Sequence, residues 1–321
     1  MPKIGIFVNG SGAAFGSAPF EFAINTANTS TGSTADNQFK LPLVSSLPLD
    51  AKVDWGDGTT NTITAFNQAE VTHTYPSVGT YTIKITGDLS GWAFNSAGDR
   101  LKMLNVVTWG ALNVSVSGGF FGCNNLTCSA TDAPLITSTS LANYFRACPF
   151  FNGNISNWNT TNVVNITEAF ANTTQFNVDI STKIINAGQP NQYTAWDVSN
   201  VTSFSEIFRA AIAFNQPIGN WNVQNATRMD GMFNGATAFN QNIGSWNVSK
   251  VTNFIGFMGS KTAANYSAAN LDAIYNGWSS RAVKPNLSIS FGTIKFTAAG
   301  VAGKAILTGA PNNWTIVDGG L

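Results

Sequence analysis

A phrase that returns at fixed spacing constrains this chain more than any other feature. In its clearest copy it runs Phe214-Asn215-Gln216-Pro217-Ile218-Gly219-Asn220-Trp221-Asn222-Val223 and ends on Met232-Phe233. The next copy begins at Phe239-Asn240-Gln241, passes through Ile243, Trp246-Asn247-Val248 and Val251-Thr252, and ends on Phe257-Met258. Trp221 and Trp246 stand 25 residues apart, as do Phe214 and Phe239. A unit this short cannot bury an apolar face alone, so such units must stack on one another.

Each unit has two halves. One carries an apolar triplet at i, i+3 and i+4: Leu141/Tyr144/Phe145, Ile166/Ala169/Phe170, Phe204/Ile207/Phe208, Met229/Met232/Phe233 and Phe254/Phe257/Met258. That spacing predicts a short helical turn with three side chains on one face. The other half is extended and holds Ile155/Trp158, Ile218/Trp221 and Ile243/Trp246, with Tyr193/Trp196 as a variant. The 38-residue step from Trp158 to Trp196 exceeds the period by 13 residues, which predicts an insertion around Ser181 to Gln192. Insertions in stacked repeats map to loops on one face, often the binding face.

The repeated aromatics tempt one toward sugar stacking. Yet Trp158, Trp196, Trp221 and Trp246, with Phe170, Phe208 and Phe233, recur at equivalent positions, and the pair Phe257-Met258 closes the last unit, as a stacked core requires. Burying each such side chain stabilises by a few kcal/mol. Asn152, Asn177, Asn215 and Asn240 also recur and are expected to bond backbone groups at the turn as an asparagine ladder. Recognition then falls to the insertion and the polar positions beside it.

With these motifs the region from about residue 100 to 321 resembles the BspA-like leucine-rich-repeat surface proteins. The tail shares in the resemblance. Tyr266 to Trp278 looks like a capping helix, and Phe296-Thr297-Ala298-Ala299-Gly300 and Asn313 to Gly320 look like the closing segment. The resemblance implies a short α/β solenoid over residues 89–262 and a C-terminal cap over 263–321.

Ahead of the repeats, Phe20-Glu21-Phe22-Ala23-Ile24 alternates as a half-buried strand should. Asp57-Gly58 lies between two β-prone runs, a hairpin signal because glycine accepts positive φ. Trp55-Gly56-Asp57-Gly58-Thr59, followed by His73-Thr74-Tyr75 and Gly79-Thr80-Tyr81, resembles a PKD domain. That resemblance implies an immunoglobulin-like β-sandwich over residues 15–88. Trp55, Asp57, Gly58, His73, Tyr75 and Tyr81 are its motif residues, with His73 packing and bonding inside it. Asp54 and Asp57 also suit a calcium ion in residue type, against the plainer role of capping the turn. Residues 1–14 lie outside both modules and are a candidate anchor.

The expected fold class is therefore mixed and β-rich: a sandwich, a repeat solenoid and a cap. Only 10% of residues are charged and the net charge is zero, so the electrostatic footprint of nucleic-acid binding is missing. No stretch approaches the roughly 18 apolar residues of a membrane span. Cys123 and Cys148 stand one period apart, so a disulfide between them requires Cα atoms within about 7 Å; reduced thiols are the default expectation, with Cys128 unpaired either way. With one histidine, no nucleotide-binding loop and no metal-ligand cluster, the expectation is a non-enzymatic display and binding protein without a cofactor. No export signal is read at the start, which favours a phage virion protein contacting the host surface. The alternative is a bacterial cell-surface adhesin. In either setting the expected partners are other virion or surface proteins through the N-terminal part, and a host-surface protein or glycan.

Overall fold

The computed structural model describes residues 18–44 and 47–321. The candidate anchor at residues 1–14 lies outside them. The first strands are β1 (Phe20–Asn25), β2 (Gln38–Lys40), β3 (Leu49–Asp54), β4 (Thr60–Ile63), β5 (Thr72–Thr74), β6 (Thr80–Leu89) and β7 (Met103–Thr108). Strand β1 forms because Phe20, Phe22 and Ile24 all fall on its inner face and are buried. They pair with the equally buried Ile85 and Ile83 of β6 and with Tyr81. The Asp57-Gly58 turn joins β3 to β4, with Asp54 opposite Thr60. Facing this sheet is the antiparallel pair β2–β5, whose Phe39 ring lies 6.0 Å from that of Phe22.

This sheet does not end where a domain boundary after residue 88 would place it. Its order is β4-β3-β6-β1-β7-β9, with β9 at Thr127–Cys128. Strand β7 pairs antiparallel with β1 and parallel with β9, so it closes the first sheet and starts the repeats. The core is equally continuous. Trp92 meets Phe20 edge-on at 5.1 Å, and Trp109 stacks on Phe20 at 6.5 Å. A buried ion pair pins the preceding loop. Lys102 Nζ lies 3.3 Å from Asp99, donates to the Ala35 and Gln38 carbonyls at 2.7 Å, and Asp99 accepts from the Thr34 and Lys40 amides. A pair taken fully out of water is tolerated only when its remaining bonding capacity is filled, as here.

Beyond β8 (Asn113–Val114) and β10 (Leu135–Ile136), which pair in parallel, the units stack. Parallel bridges link Ser140 to Asn165, Asn165 to Ser203, Ser203 to Arg228 and Arg228 to Asn253. The expected helical turn is absent. At the apolar triplets the chain makes two successive tight turns, because the residue two past the triplet's first member takes left-handed φ: Asn143 58°, Glu168 54°, Glu206 53°, Gly231 59°, Gly256 69°. A helix cannot continue through that conformation. The reversal turns alternate N–H groups out of the unit. Asn143, Phe145 and Ala147 donate to the carbonyls of Thr167, Ala169 and Ala171 one unit on, while Tyr144 and Arg146 donate backward within their own turn. The triplet still faces the core, but through turns that bond to their neighbours.

The insertion leaves the stack as an antiparallel hairpin of β11 (Lys183–Ile185) and β12 (Tyr193–Ala195). It opens between Ile180 and Trp196. Tyr193 therefore belongs to the hairpin, and Ile180 is the true counterpart of Ile218. The phrase Phe176-Asn177-x-x-Ile180, matching Phe214-Asn215-x-x-Ile218, carries that register in the sequence. The far end is closed by α1 (Ala268–Ser279), α2 (Val301–Thr308) and the parallel pair β13 (Ser288–Ser290) and β14 (Thr315–Val317). Helix α1 starts where Ser267 Oγ accepts the Asn270 amide at 3.2 Å, an N-cap that satisfies one orphan donor. Ile289 of β13 bridges Phe254 and so extends the ladder one rung.

Left-handed backbone costs an L-residue about 1–2 kcal/mol. The second reversal of each unit falls on Ala210 (φ 54°) in one unit and on Gly235 (φ 77°) in the next. Ala210→Gly should raise the urea midpoint at unchanged slope, by up to about 1 kcal/mol after the looser unfolded chain is counted. Gly235→Ala should cost about 1–2 kcal/mol, because the new Cβ would also sit 3.2 Å from Ala210 Cα.

Candidate binding surface

The repeated aromatics form the inside of the stack. Phe145, Phe170, Phe208 and Phe233 make one column with ring centroids 5.9, 6.0 and 5.8 Å apart and planes within 15°. Phe151, Phe176, Phe214 and Phe239 make a second, at 6.4, 5.8 and 6.0 Å, which Tyr266 extends. Within a unit the two columns touch at 3.9–4.1 Å. Phe257 ends the first column edge-on to Phe233 at 5.5 Å.

The tryptophans are equally enclosed, and their bonds explain their spacing. The indole Nε1 of Trp196 donates to the Ile155 carbonyl at 2.7 Å, Trp221 to Ile180 at 2.9 Å and Trp246 to Ile218 at 3.1 Å. Trp278 of α1 does the same to Ile243 at 3.2 Å, so the cap continues the repeat's bonding after its phrase has ended. Trp158 is buried too, but its Nε1 has no oxygen partner. These rings hold neighbouring units together, and their faces are not open to a ligand.

The front motif also closes on itself. Trp55 stacks on His73 at 4.7 Å and 10°, and His73 Nε2 lies 2.8 Å from Asp57 Oδ2. Tyr75 donates to the Trp55 carbonyl at 3.2 Å and stacks on Tyr81 at 3.8 Å. Gly58 holds φ 90° in the turn. Burial would raise the Asp57 carboxyl, but bonds from Thr59 and His73 outweigh it and hold the group below its ordinary range. Asp54 accepts from the Gly56 amide at 3.0 Å. Both carboxylates thus bond protein groups of their own turn. The cysteines are free, and burial pushes the thiols of Cys123 and Cys148 up. Cys148 Sγ donates to the Phe120 carbonyl at 3.0 Å.

What remains for recognition is the outer surface. Asn177 N–H donates to Asn152 Oδ1 at 2.9 Å, Asn215 to Asn177 at 2.9 Å and Asn240 to Asn215 at 2.8 Å, so the asparagine ladder is present and exposed. The ladder spans the insertion without a break. The hairpin stands beside it with Ile184 59% exposed. Tyr193 anchors the hairpin's base by donating to the Asn157 carbonyl at 2.5 Å, and Lys183 pairs with Asp179 at 3.2 Å. Sequence periodicity does not mark Lys261, which closes the stack against the cap. It is 1% exposed, and its Nζ donates to the Phe239 and Thr237 carbonyls at 2.6 and 3.0 Å.

Two measurements test this division between core and surface. Trp246→Ala removes a fully enclosed ring and an indole bond, and should cost about 3–5 kcal/mol in a denaturation series. Burial pushes the Lys261 ammonium down to about 8 from an ordinary value of 10.5. Between those two values the unfolded chain binds more protons than the folded one, so stability should rise as pH climbs from about 8 to about 10.5. Lys261→Met should flatten that rise relative to the parent chain.

The comparisons with known proteins bear on the repeats alone. No curated protein and no solved structure matches the chain. One family profile does, at residues 114–186 and 182–286. Its two matches meet inside the hairpin-bearing unit and cover the repeats on which the BspA-like resemblance rests. They span more than half of the 321 residues. The chain belongs to the family described as Mycoplasma protein of unknown function, DUF285.

Proposed function

We propose that this is a non-enzymatic surface-display and binding protein. In this reading the stacked units are a short solenoid, built on a PKD-like sandwich, that holds recognition elements away from the surface carrying it. The observation that carries it is the hairpin. It adds 13 residues to one unit without disturbing the ladder on either side, and its first strand exposes Ile184. A segment that is tied to the stack only at its base, through Thr182 and Tyr193, while the ladder runs past it, is suited to contact something else. The non-enzymatic part is supported by the front motif, where the single histidine is already bonded to Asp57 and stacked on Trp55.

Of the two settings, the family's description points to bacteria and so supports the cell surface ahead of the virion exterior. Antibodies to the full chain should label intact source cells or purified particles. Labelling that appears only after lysis would sink the proposal.

The hairpin itself can be removed cleanly. Deleting residues 182–194 leaves Ile180-Ser181-Ala195-Trp196, which restores the Ile-x-x-Trp spacing of the other units. The shortened chain should melt cooperatively near the parent's temperature and lose adhesion to target cells by tenfold or more, which corresponds to roughly 1.4 kcal/mol. Adhesion unchanged by the deletion would assign recognition elsewhere.

A further inference from the structure

Along one edge of the stack four segments lack charged side chains, and Lys261, which donates to the Thr237 and Phe239 carbonyls there, is buried beneath the surface. From residues 147–154, 172–178, 210–217 and 235–242, where successive units turn into the Phe-Asn phrase, the sequence has no Asp, Glu, Lys or Arg. Phe150 and Ile212 are each 50% exposed on that edge, and Ala238 is exposed beside them. The asparagine ladder runs along it.

The ladder dictates which amide atoms face solvent. Asn152, Asn177 and Asn215 use Oδ1 to accept the backbone N–H of the next unit, so each amide nitrogen is turned away from the ladder. Among the described residues none of these Nδ2 groups makes a hydrogen bond. Gln216 and Gln241 spend Nε2 on the ladder, at 2.8–3.0 Å, and leave Oε1 unbonded. The edge therefore offers free amide donors and free amide acceptors, held in place by bonds to the backbone, rung after rung. The rungs follow the stacking of the units, whose phenylalanine rings beneath this edge lie 5.8–6.4 Å apart. Beneath them the second phenylalanine column keeps the rungs from shifting.

We propose that this edge binds a neutral, extended, β-linked polysaccharide. A hydroxyl both donates and accepts, so it can use the free Nδ2 and Oε1 groups together. The apolar face of a pyranose ring suits Phe150, Ile212 and Ala238. A pyranose is about as long as one rung spacing, so successive sugars can meet successive rungs. The partner's charge is decided by what the edge lacks. A polyanion would find no unpaired cation in these segments, since Arg146 and Arg209, which precede two of them, are bound to Glu168 and Glu206, and a charged protein surface would lose hydration without compensation. The inference rests on the surface-binding reading above and names one ligand class for it, at a place separate from the hairpin.

Affinity electrophoresis of the full chain tests it, in gels holding hydroxyethyl cellulose, soluble xylan or glycol chitin, with dextran and heparin gels alongside. Retardation is expected in at least one of the β-linked neutral gels, and should persist in about 0.5 M NaCl because no ion pair is involved. Ala213→Glu with Ala238→Glu places charge on the edge without touching a ladder bond, and should abolish retardation at an unchanged melting temperature. Gln216→Leu with Gln241→Leu removes the free acceptors together with the Nε2 bonds to Asn177 and Asn215, and should weaken retardation about tenfold at a melting temperature measured in parallel. The proposal is overturned by no retardation in any β-linked neutral gel, by retardation that the glutamates leave intact, or by salt-sensitive retardation in heparin alone. Hairpin-dependent cell adhesion without polysaccharide retardation would overturn this inference and leave the display reading standing.

Discussion

The structure depends on a reversal of backbone handedness that returns in every unit. Where Asn143, Glu168, Glu206, Gly231 and Gly256 take left-handed φ, the chain is turned so that alternate amides point along the stack. Without that reversal the triplets would coil into a helix, whose amides bond internally and leave nothing for the neighbouring unit. With it, each unit is tied to the next by backbone bonds on the turn side, by asparagine side chains on the opposite corner and by indole bonds through the core. The cost of left-handed backbone at Glu and Ala is met by these neighbours, and it falls away where glycine occupies the position.

Stacks have exposed ends, and both are closed here by different means. At the front, β7 is shared: it pairs with β1 on one side and with β9 on the other, so no sheet edge is left at the junction. At the back, Trp278 and Tyr266 take the places of a repeat tryptophan and a repeat phenylalanine while belonging to the cap. Lys261 then satisfies carbonyls of the last full unit that would otherwise face apolar side chains. These devices leave the long edges, and the hairpin on one of them, as the surface free to meet a partner.

Much of this was legible in residue order. A period of 25 with invariant tryptophan and phenylalanine positions implies stacking, and a stack implies that those rings are interior. The Asp-Gly hairpin, the alternation in β1 and the capping helix follow from local chemistry in the same way. The register slip at Tyr193 shows the limit of such reasoning. Tyr193 keeps the distance to Trp196 that the repeat demands, while Ile180 keeps the distance from Phe176-Asn177, and the indole bond from Trp221 to the Ile180 carbonyl shows which one lies in the stack.

Sequence alone determined that the chain repeats, that it is β-rich and nearly uncharged, and that its aromatics are core. It also determined where the repeat is broken, because periodicity is a property of residue order. Tertiary structure decided the rest, since those features depend on neighbours distant in the chain. The triplets are turns rather than helices because a left-handed residue is stabilised by the unit beside it. The front sheet runs into the repeats because β7 finds β1 about eighty residues upstream, through hydrogen bonds that no local spacing encodes. Which amide atoms face outward was likewise settled by the ladder, and with them the character of the edge along which it runs.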